Sequence, residues 1–303
     1  MKYSVIIPVY NKAETIAESI KSVLAQTEQN FELIIVNDGS SDNLQEAIKD
    51  FPSIRVINQE NGGVSVARNT GIKEAKGDYV CFLDADDLYL PNHLEELNFL
   101  IKEYPQAVMF FTSHIETFTN GETRNISNLL PKFPDSFLCE NLFKLLNENS
   151  YSLIHTNCAC INRNFINKNG IYFEPGEKIG EDTDMWFRVA LNGSVAYSKK
   201  ETTIYRRENS TATRNGSNSF SWVFARRWDD IEKGDYSEDR KRECRKLIER
   251  HFLTSSRNYM LLKDRKKAKD VLRNIKYRNK RYYLTWILAR MPYSLSRWII
   301  THV

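Results

Sequence analysis

The residues predict an α/β protein with a mostly parallel sheet flanked by helices and a helical extension at the C-terminus. Short apolar runs alternate with segments whose apolar residues recur at helical spacing along residues 3–103, the pattern of a parallel sheet covered on both faces. Each apolar run stops at a polar cluster. Those clusters should therefore share the rim at which open α/β sheets bind ligands. Charge marks the extension. Residues 240–303 hold 19 Lys and Arg against 4 Asp and Glu, net +15, while 1–239 hold 24 against 35, net −11, within an overall +4.

A first strand, Tyr3-Ser4-Val5-Ile6-Ile7-Pro8-Val9, runs into Tyr10-Asn11. Ile16, Ile20, Val23 and Leu24 make a helix of Ala13 to Gln26. The second strand, Phe31 to Val36, ends in Asn37-Asp38-Gly39-Ser40-Ser41-Asp42, and after another helix a third covers Ile54 to Ile57. Asn61-Gly62-Gly63 opens a helix of Ser65 to Ala75 with Ala67-Arg68-Asn69 in its first turns. Gly77 bounds a fourth apolar run that ends in Asp84-Ala85-Asp86-Asp87, with Pro91 opening a helix over 91–103. Ala107 to Phe118 reads as a strand with a hairpin through Asn120-Gly121. Asn128 to Ser136, holding Pro131 and Pro134, reads as a loop over the site, and Asn157 to Asn162 as a further strand. Glu181 and Asp182 open a helix whose apolar face is Met185, Trp186, Val189 and Leu191. Two helices of about 239–262 and 264–275 precede a basic amphipathic stretch over 276–303.

Three carboxylates at one strand end repel one another unless something positive lies among them. Oxygen donors of this kind suit Mg²⁺ or Mn²⁺, and a hard cation with open positions also takes phosphate oxygens. A diphosphate-handling enzyme is the resulting expectation. Tyr10 can stack on a base, Asp38 can accept the imide hydrogen of a uracil, Asp84 can reach ribose hydroxyls, Asp86 can hold the metal, and Arg68 can face base or phosphate. Each also has a purely structural reading. Tyr10 can be a packed strand-end aromatic, Asp38 and Asp42 turn and helix-cap residues, and Arg68 the partner of a surface acid.

The blocks Ser4 to Asn11, Val36 to Asp42, Asn61-Gly62-Gly63 with Ala67-Arg68-Asn69, and Asp84-Ala85-Asp86-Asp87 resemble the family 2 glycosyltransferases over about residues 1–215. The resemblance implies a GT-A fold, a nucleotide-sugar donor, a divalent metal and inversion at the anomeric carbon. It implies nucleotide contacts at Pro8, Tyr10, Asn11, Asp38 and Arg68, a ribose and diphosphate role for Asp84, and metal coordination by Asp86. Gly180-Glu181-Asp182-Thr183-Asp184 through Arg188 resembles the family's Glu-Asp block. Acids in a first helical turn are ordinary dipole partners; the resemblance makes Asp182 the general base, with Glu181 and Asp184 orienting the acceptor or pairing with Arg188. One departure stands out. The family often carries a His shortly after a Tyr-Arg strand end, and Tyr205-Arg206-Arg207 is followed by none through Thr213. Arg206, Arg207 or Arg214 can contact the diphosphate instead, or can be a solvated strand end. Arg226-Arg227-Trp228 is similar to a block of processive synthases, but Phe224 holds the Gln position; helix packing and no processivity are expected.

These readings divide the chain into a GT-A catalytic domain over 1–215, with a nucleotide-binding half (1–104) and an acceptor-binding half (105–215), and a basic helical extension over 216–303. No run approaches the roughly 18 apolar residues of a membrane span, and neither a signal peptide nor a nucleic-acid module is recognisable. The extension can lie on an anionic membrane surface or dock as a terminal helix. Five cysteines, an odd number without metal-type spacing, fit a reducing cytosol, with Cys158 and Cys160 on one strand face. The expected protein is cytoplasmic or peripheral at the inner face of the membrane. It would be an inverting, non-processive transferase that uses a UDP-sugar and Mn²⁺ or Mg²⁺ on a glycan or lipid-linked glycan acceptor in surface polysaccharide synthesis. A non-catalytic nucleotide-sugar-binding protein of the same fold is the alternative. A nucleotidyltransferase is disfavoured, because Val9-Tyr10-Asn11-Lys12 has no Gly-rich, Arg-bearing loop.

Overall fold

The computed structural model describes residues 2–177, 180–207, 227–275 and 279–302. Arg214, Phe224 and Arg226 lie outside them, as does the boundary expected at 215/216. The chain divides into two compact units, whose described residues are those up to Arg207 and those from Arg227.

The first unit is built on a ten-stranded mixed sheet. Its strands are β1 (Tyr3–Val9), β2 (Phe31–Asp38), β3 (Arg55–Gln59), β4 (Tyr79–Phe82), β5 (Leu88–Tyr89), β6 (Ala107–Thr117), β7 (Thr123–Asn125), β8 (Ser136–Cys139), β9 (Ala159–Asn162) and β10 (Ser194–Arg206). The order is β3-β2-β1-β4-β9-β6-β10-β5, with β7 on β6 and β8 on β10. The four strands β3, β2, β1 and β4 are parallel. Every residue of β1 is buried, because a central parallel strand has helices on both faces. The helices are α1 (Ile16–Leu24), α2 (Leu44–Ile48), α3 (Val64–Glu74), α4 (His93–Glu103), α5 (Leu142–Glu148), α6 (Arg163–Asn169) and α7 (Glu181–Asn192). Ile16, Ile20 and Val23 of α1 enter the core, as the helical spacing requires. On α3, Gly71 replaces a side chain for which there is no room: a Cβ there would lie 2.4 Å from Ile6 Cγ2.

β9 determines the shape of the site. It runs antiparallel to both β4 and β6, while β10 runs parallel to β6. The C-terminal ends of β1, β2, β4, β6 and β10 therefore share one rim, and so does the segment that enters β9. The strand starts at Ala159, two residues later than expected, behind a 3-10 turn of Thr156–Cys158. The pairing of Cys158 with Cys160 on one strand is thereby corrected. Cys160 lies opposite Cys81, and Cys158 Sγ sits 3.1 Å from Thr203 Oγ1. The hairpin after β6 forms, with Glu116 opposite Arg124.

The second unit is helical, with α8 (Trp228–Lys233), α9 (Glu238–Leu261), α10 (Arg265–Arg273), α11 (Lys280–Leu288) and α12 (Tyr293–His302). Ser237, Asp264 and Asn279 cap α9, α10 and α11 by accepting from Arg240, Lys267 and Tyr282 N–H. Leu247, Phe252 and Met260 of α9 are buried, as are Ala268, Val271 and Leu272 of α10.

Candidate active site

A cleft of about 630 Å³ opens on the shared rim of the first unit, within the size range of small-ligand sites. Pro8, Tyr10 and Lys12 line it from the end of β1, Asp38 from β2, Asn61, Gly63 and Arg68 from α3 and its entry, and Asp84 and Asp86 from the turn after β4. His155 and Thr156 line it from the entry to β9, Glu181 and Asp182 from α7, and Tyr205 from β10. Asp84 and Asp86 thus share one cavity with Asp182, which lies far along the chain.

The turn after β4 is held from several sides. Asp84 N–H donates to Asn157 Oδ1 (2.9 Å) and Asp87 N–H to Asp84 O (3.1 Å). Asp87 is buried and does not line the cleft. Its carboxylate accepts from Arg206 N–H (2.7 Å) and Asn157 Nδ2 (2.6 Å). Burial, then the charges of Asp84 and Asp86, push its pKa well above the usual carboxylate value. The positive charge that this cluster demands comes from the chain itself. Arg68 donates to Asp84 Oδ1 (2.8 Å) and Lys12 Nζ to Asp86 Oδ2 (2.6 Å). Burial also raises the Asp86 pKa, against the hydrogen bond from Lys12.

Arg68 is 3% exposed. Its second guanidinium nitrogen donates to Glu181 Oε1 at 2.8 Å, and the group lies 5.2 Å from the Phe173 ring centre. With one part-exposed and one buried carboxylate partner, the guanidinium joins the β4 turn to the start of α7 while lining the cleft. Burial opposes its charge, but Asp84, Glu181 and Asp182 more than offset that and hold it protonated. Of the two readings of Glu181, orienting the acceptor or pairing with Arg188, the pairing is corrected: its partner is Arg68. Burial, then the Asp182 charge, raises its pKa. Asp182 Oδ2 accepts from Thr156 Oγ1 (3.0 Å) and Oδ1 from Thr183 N–H (2.6 Å).

Asp38 is 2% exposed. Oδ1 accepts from Gln59 Nε2 (2.7 Å) and Gly62 N–H (2.9 Å), and Oδ2 from Gly63 N–H (2.8 Å). The carboxylate thus folds the Asn61-Gly62-Gly63 loop over the end of β2. Gly63, the N-cap of α3, has φ 87°, a conformation glycine adopts without strain. Tyr10 presents a half-exposed ring (51%) to the cleft.

Several expected site residues are not in the lining. Asn11 has φ 52° and ties the first two strand-end loops together, its Oδ1 accepting from Ser41 N–H at 2.8 Å. Asp184 is buried against Arg188 at 2.6 Å, one turn on along α7. Arg206 donates through Nε to Asp86 O and pairs with Glu18 of α1. Arg207 pairs with Glu116 (3.1 Å) and lies over Phe118 and Tyr205. The segment expected to cover the site also lies elsewhere. Its first two residues end a 3-10 helix of Ile126–Leu129, no residue of 128–136 lines the cleft, and Lys199 of β10 holds it through Asp135 O and Phe133 O.

Lining residues that the sequence did not single out include Lys12, His155 and Thr156. The His155 ring lies 4.4 Å from the Tyr205 ring and 5.0 Å from the His114 ring, tilted to both. Its Nδ1 accepts from Asn157 N–H at 3.3 Å, so the neutral ring carries its proton on Nε2. Burial lowers its pKa, although Asp84 and Asp182 pull the other way.

A hard divalent cation fits the turn after β4. Asp84 and Asp86 each keep one oxygen outside the Arg68 and Lys12 contacts. Among the described residues no three His, Cys, Asp or Glu side chains gather closely enough to hold a metal alone. A cation here would complete its shell from ligand oxygens and water, the usual habit of Mg²⁺.

The sequence model of one family, Glycosyl transferase family 2, matches residues 4–168, more than half of the chain. The chain belongs to glycosyl transferase family 2. A glycosyltransferase of Rickettsia typhi is 35% identical over 216 residues, spanning 70% of this chain and 65% of the relative. Glycosyltransferase GlyA of Streptococcus pneumoniae is 31% identical over 237 residues, 75% of this chain and 32% of the relative. The chain thus spans less than two thirds of these family members. Among solved structures, S. aureus TarS 1-349 in complex with UDP-GlcNAc has a TM-score of 0.74 at 21% identity, over 98% of this chain and 87% of that one. The mannosyltransferase PcManGT of Pyrobaculum calidifontis, in complex with GDP-Man and Mn2+, has a TM-score of 0.57 at 16% identity, over 99% of this chain and 84% of that one. The family 2 chain therefore has the GT-A fold.

Proposed function

We propose that the first unit transfers a sugar, with inversion and without processivity, from a nucleotide sugar to a hydroxyl of a glycan or lipid-linked glycan in surface polysaccharide synthesis. The observation that carries this reading is the convergence of Asp84, Asp86 and Asp182 on one cleft, with Arg68 joining the first to the helix bearing the last. In this reading residues 1–104 bind the donor and 105–215 the acceptor. Tyr10 stacks on the base. The remaining acceptor capacity of Asp38 Oδ2 faces an imide hydrogen, which makes a UDP-sugar the first donor to test. The UDP-GlcNAc bound by the S. aureus neighbour is of the same class.

Asp84 would accept from ribose hydroxyls, and Asp86, through the oxygen outside its Lys12 contact, would hold a divalent cation. When bound, Mn²⁺ or Mg²⁺ supplies charge stabilisation to the departing nucleoside diphosphate. Asp182 takes the proton of the acceptor hydroxyl as that oxygen bonds to the sugar C1 and the C1–O bond to the diphosphate breaks. Thr156 and Thr183 fix the rotamer and leave a lone pair on Asp182 Oδ2 for that proton, since Oδ1 accepts from both the N–H and the hydroxyl of Thr183. One in-line displacement inverts the anomeric centre.

Thermal unfolding with UDP and UDP-sugars in the presence of Mn²⁺ tests the donor, since a ligand bound only to the folded state raises its stability. Asp86→Ala should abolish the Mn²⁺-dependent shift. Asp182→Asn should keep the shift and lower turnover by about 10²–10⁴-fold, the usual contribution of a positioned base. A shift with another nucleotide and none with uridine diphosphates overturns the Asp38 assignment. Donor binding without hydrolysis or transfer under any acceptor tested favours the non-catalytic alternative.

A further inference from the structure

After Asp270 the chain contains no acidic residue. In this stretch α11 turns Tyr282, Thr285 and Leu288 into its unit. Its opposite face presents Tyr283 (53% exposed), Leu284 (47%), Trp286 (38%) and Ile287 (44%) to solvent. Lys280 and Arg281 are exposed at one end of that helix, and at the other the Arg290 guanidinium lies 3.4 Å from the Trp286 ring centre. On α12 only Ser296 is buried, and Leu295 and Trp298 stand out with the exposed Arg297 between them. Six large apolar side chains on two short helices form far more than the scattered exposure normal for a soluble surface.

We propose that α11, with the exposed edge of α12, binds the surface of an anionic lipid bilayer. Trp and Tyr beside Lys and Arg are the side chains that settle at a membrane interface, with rings at headgroup depth and cations on lipid phosphates. No acid within 271–303 repels those phosphates, and Glu249, beside the start of α11, is held by Asn279 Nδ2 at 2.9 Å. No helix among the described residues is long and apolar enough to cross a bilayer, so the segment lies in the interface plane. A second copy of the chain fits less well, since self-association would bring this acid-free basic segment against itself.

Co-sedimentation of the full chain with phosphatidylcholine vesicles, with and without phosphatidylglycerol, tests this. Binding should require the anionic lipid, weaken with added salt and blue-shift the tryptophan emission. Lys280→Glu with Arg281→Glu should weaken partitioning by roughly tenfold or more. Trp286→Ser with Ile287→Ser should weaken it by roughly tenfold through lost apolar insertion. All four positions are solvent-facing, so the unfolding midpoint should stay in place and show that the variants fold. Three results overturn the proposal. One is no preference for anionic vesicles. Another is loss on charge reversal but not on apolar substitution, the behaviour of a surface that binds a polyanion such as nucleic acid by charge alone. The third is a concentration-dependent dimer that the serine variants dissociate, which would assign the face to a second copy.

Discussion

Arg68 ties together two segments that line the cleft. It is buried, forks to Asp84 and Glu181, and bridges segments 113 residues apart. Removing one member of such a group strands the others without compensation, at about 3–5 kcal/mol. Arg68→Met should therefore lower stability by about that amount, measured by urea unfolding. Arg68→Lys, which keeps the charge but lacks the fork, should fold yet lose turnover more than donor affinity, because Asp182 adjoins the freed Glu181. Equal losses in both would refute a positioning role. Asp38→Asn is a sharper test than its size implies. Three donors converge on the carboxylate, and an amide turns one acceptor into a donor facing an N–H. The expected cost is about 1–3 kcal/mol, with a loop that exchanges amide hydrogen faster at Gly62 and Gly63. Motif residues such as Asp38 and Asp84 were legible because turn chemistry is local. Lys12 was not, since its role exists only opposite Asp86 across the rim.

Contacts between elements explain why some sites tolerate no change. The α3 helix lies so close to β1 that a methyl at Gly71 would enter the Ile6 side chain. Gly71→Ala should destabilise by about 1–3 kcal/mol, the usual penalty of overpacking, despite improving helix propensity. Calorimetry showing a stabilised variant would mean that α3 can shift outward. β9 is the element whose placement mattered most and showed least in the residues. A short apolar run reads the same whether it enters a sheet parallel or antiparallel. Only the pairing with β4 and β6 carries His155, Thr156 and Asn157 to the rim. The absence of a histidine after Tyr205-Arg206 thus did not predict a cleft without one. The Asn128 to Ser136 segment failed for a related reason, since prolines mark a loop but not the edge on which it lies.

Across the first unit, acid sensitivity should be dominated by buried neutral imidazoles. Burial lowers the pKa of His93 to about 3 and of His114 to about 2. His93 begins α4, where the helix dipole also disfavours a cation, and its Nδ1 lies 2.7 Å from Thr202 Oγ1. Both folded values lie below the unfolded value of about 6.5. The unfolded chain then binds protons that the folded one refuses, so stability is full above about pH 6.5 and falls as pH drops toward the depressed values. By pH 4 each ring should withhold on the order of 3 kcal/mol. Urea midpoints of wild type and His93→Gln between pH 7 and pH 4 should converge as pH falls. Parallel curves would show that His93 accepts a proton in the folded state. The raised pKa values of Asp86, Asp87 and Glu181 act in the opposite direction. Their protonated forms favour the folded state below the usual carboxylate range, and that contribution is lost as pH rises through the raised values.

The residues alone determined the alternation of strands and helices, the shared rim, the acid turn after β4 and the charge split between the two units, since each rests on local periodicity or composition. Tertiary structure decided which acid each cation meets across the rim: Arg68 with Glu181 and Lys12 with Asp86. It also decided which residues line the cleft and which brace its walls. Such pairings depend on strand order and direction, and long-range geometry of that kind leaves no trace in the spacing of a single chain.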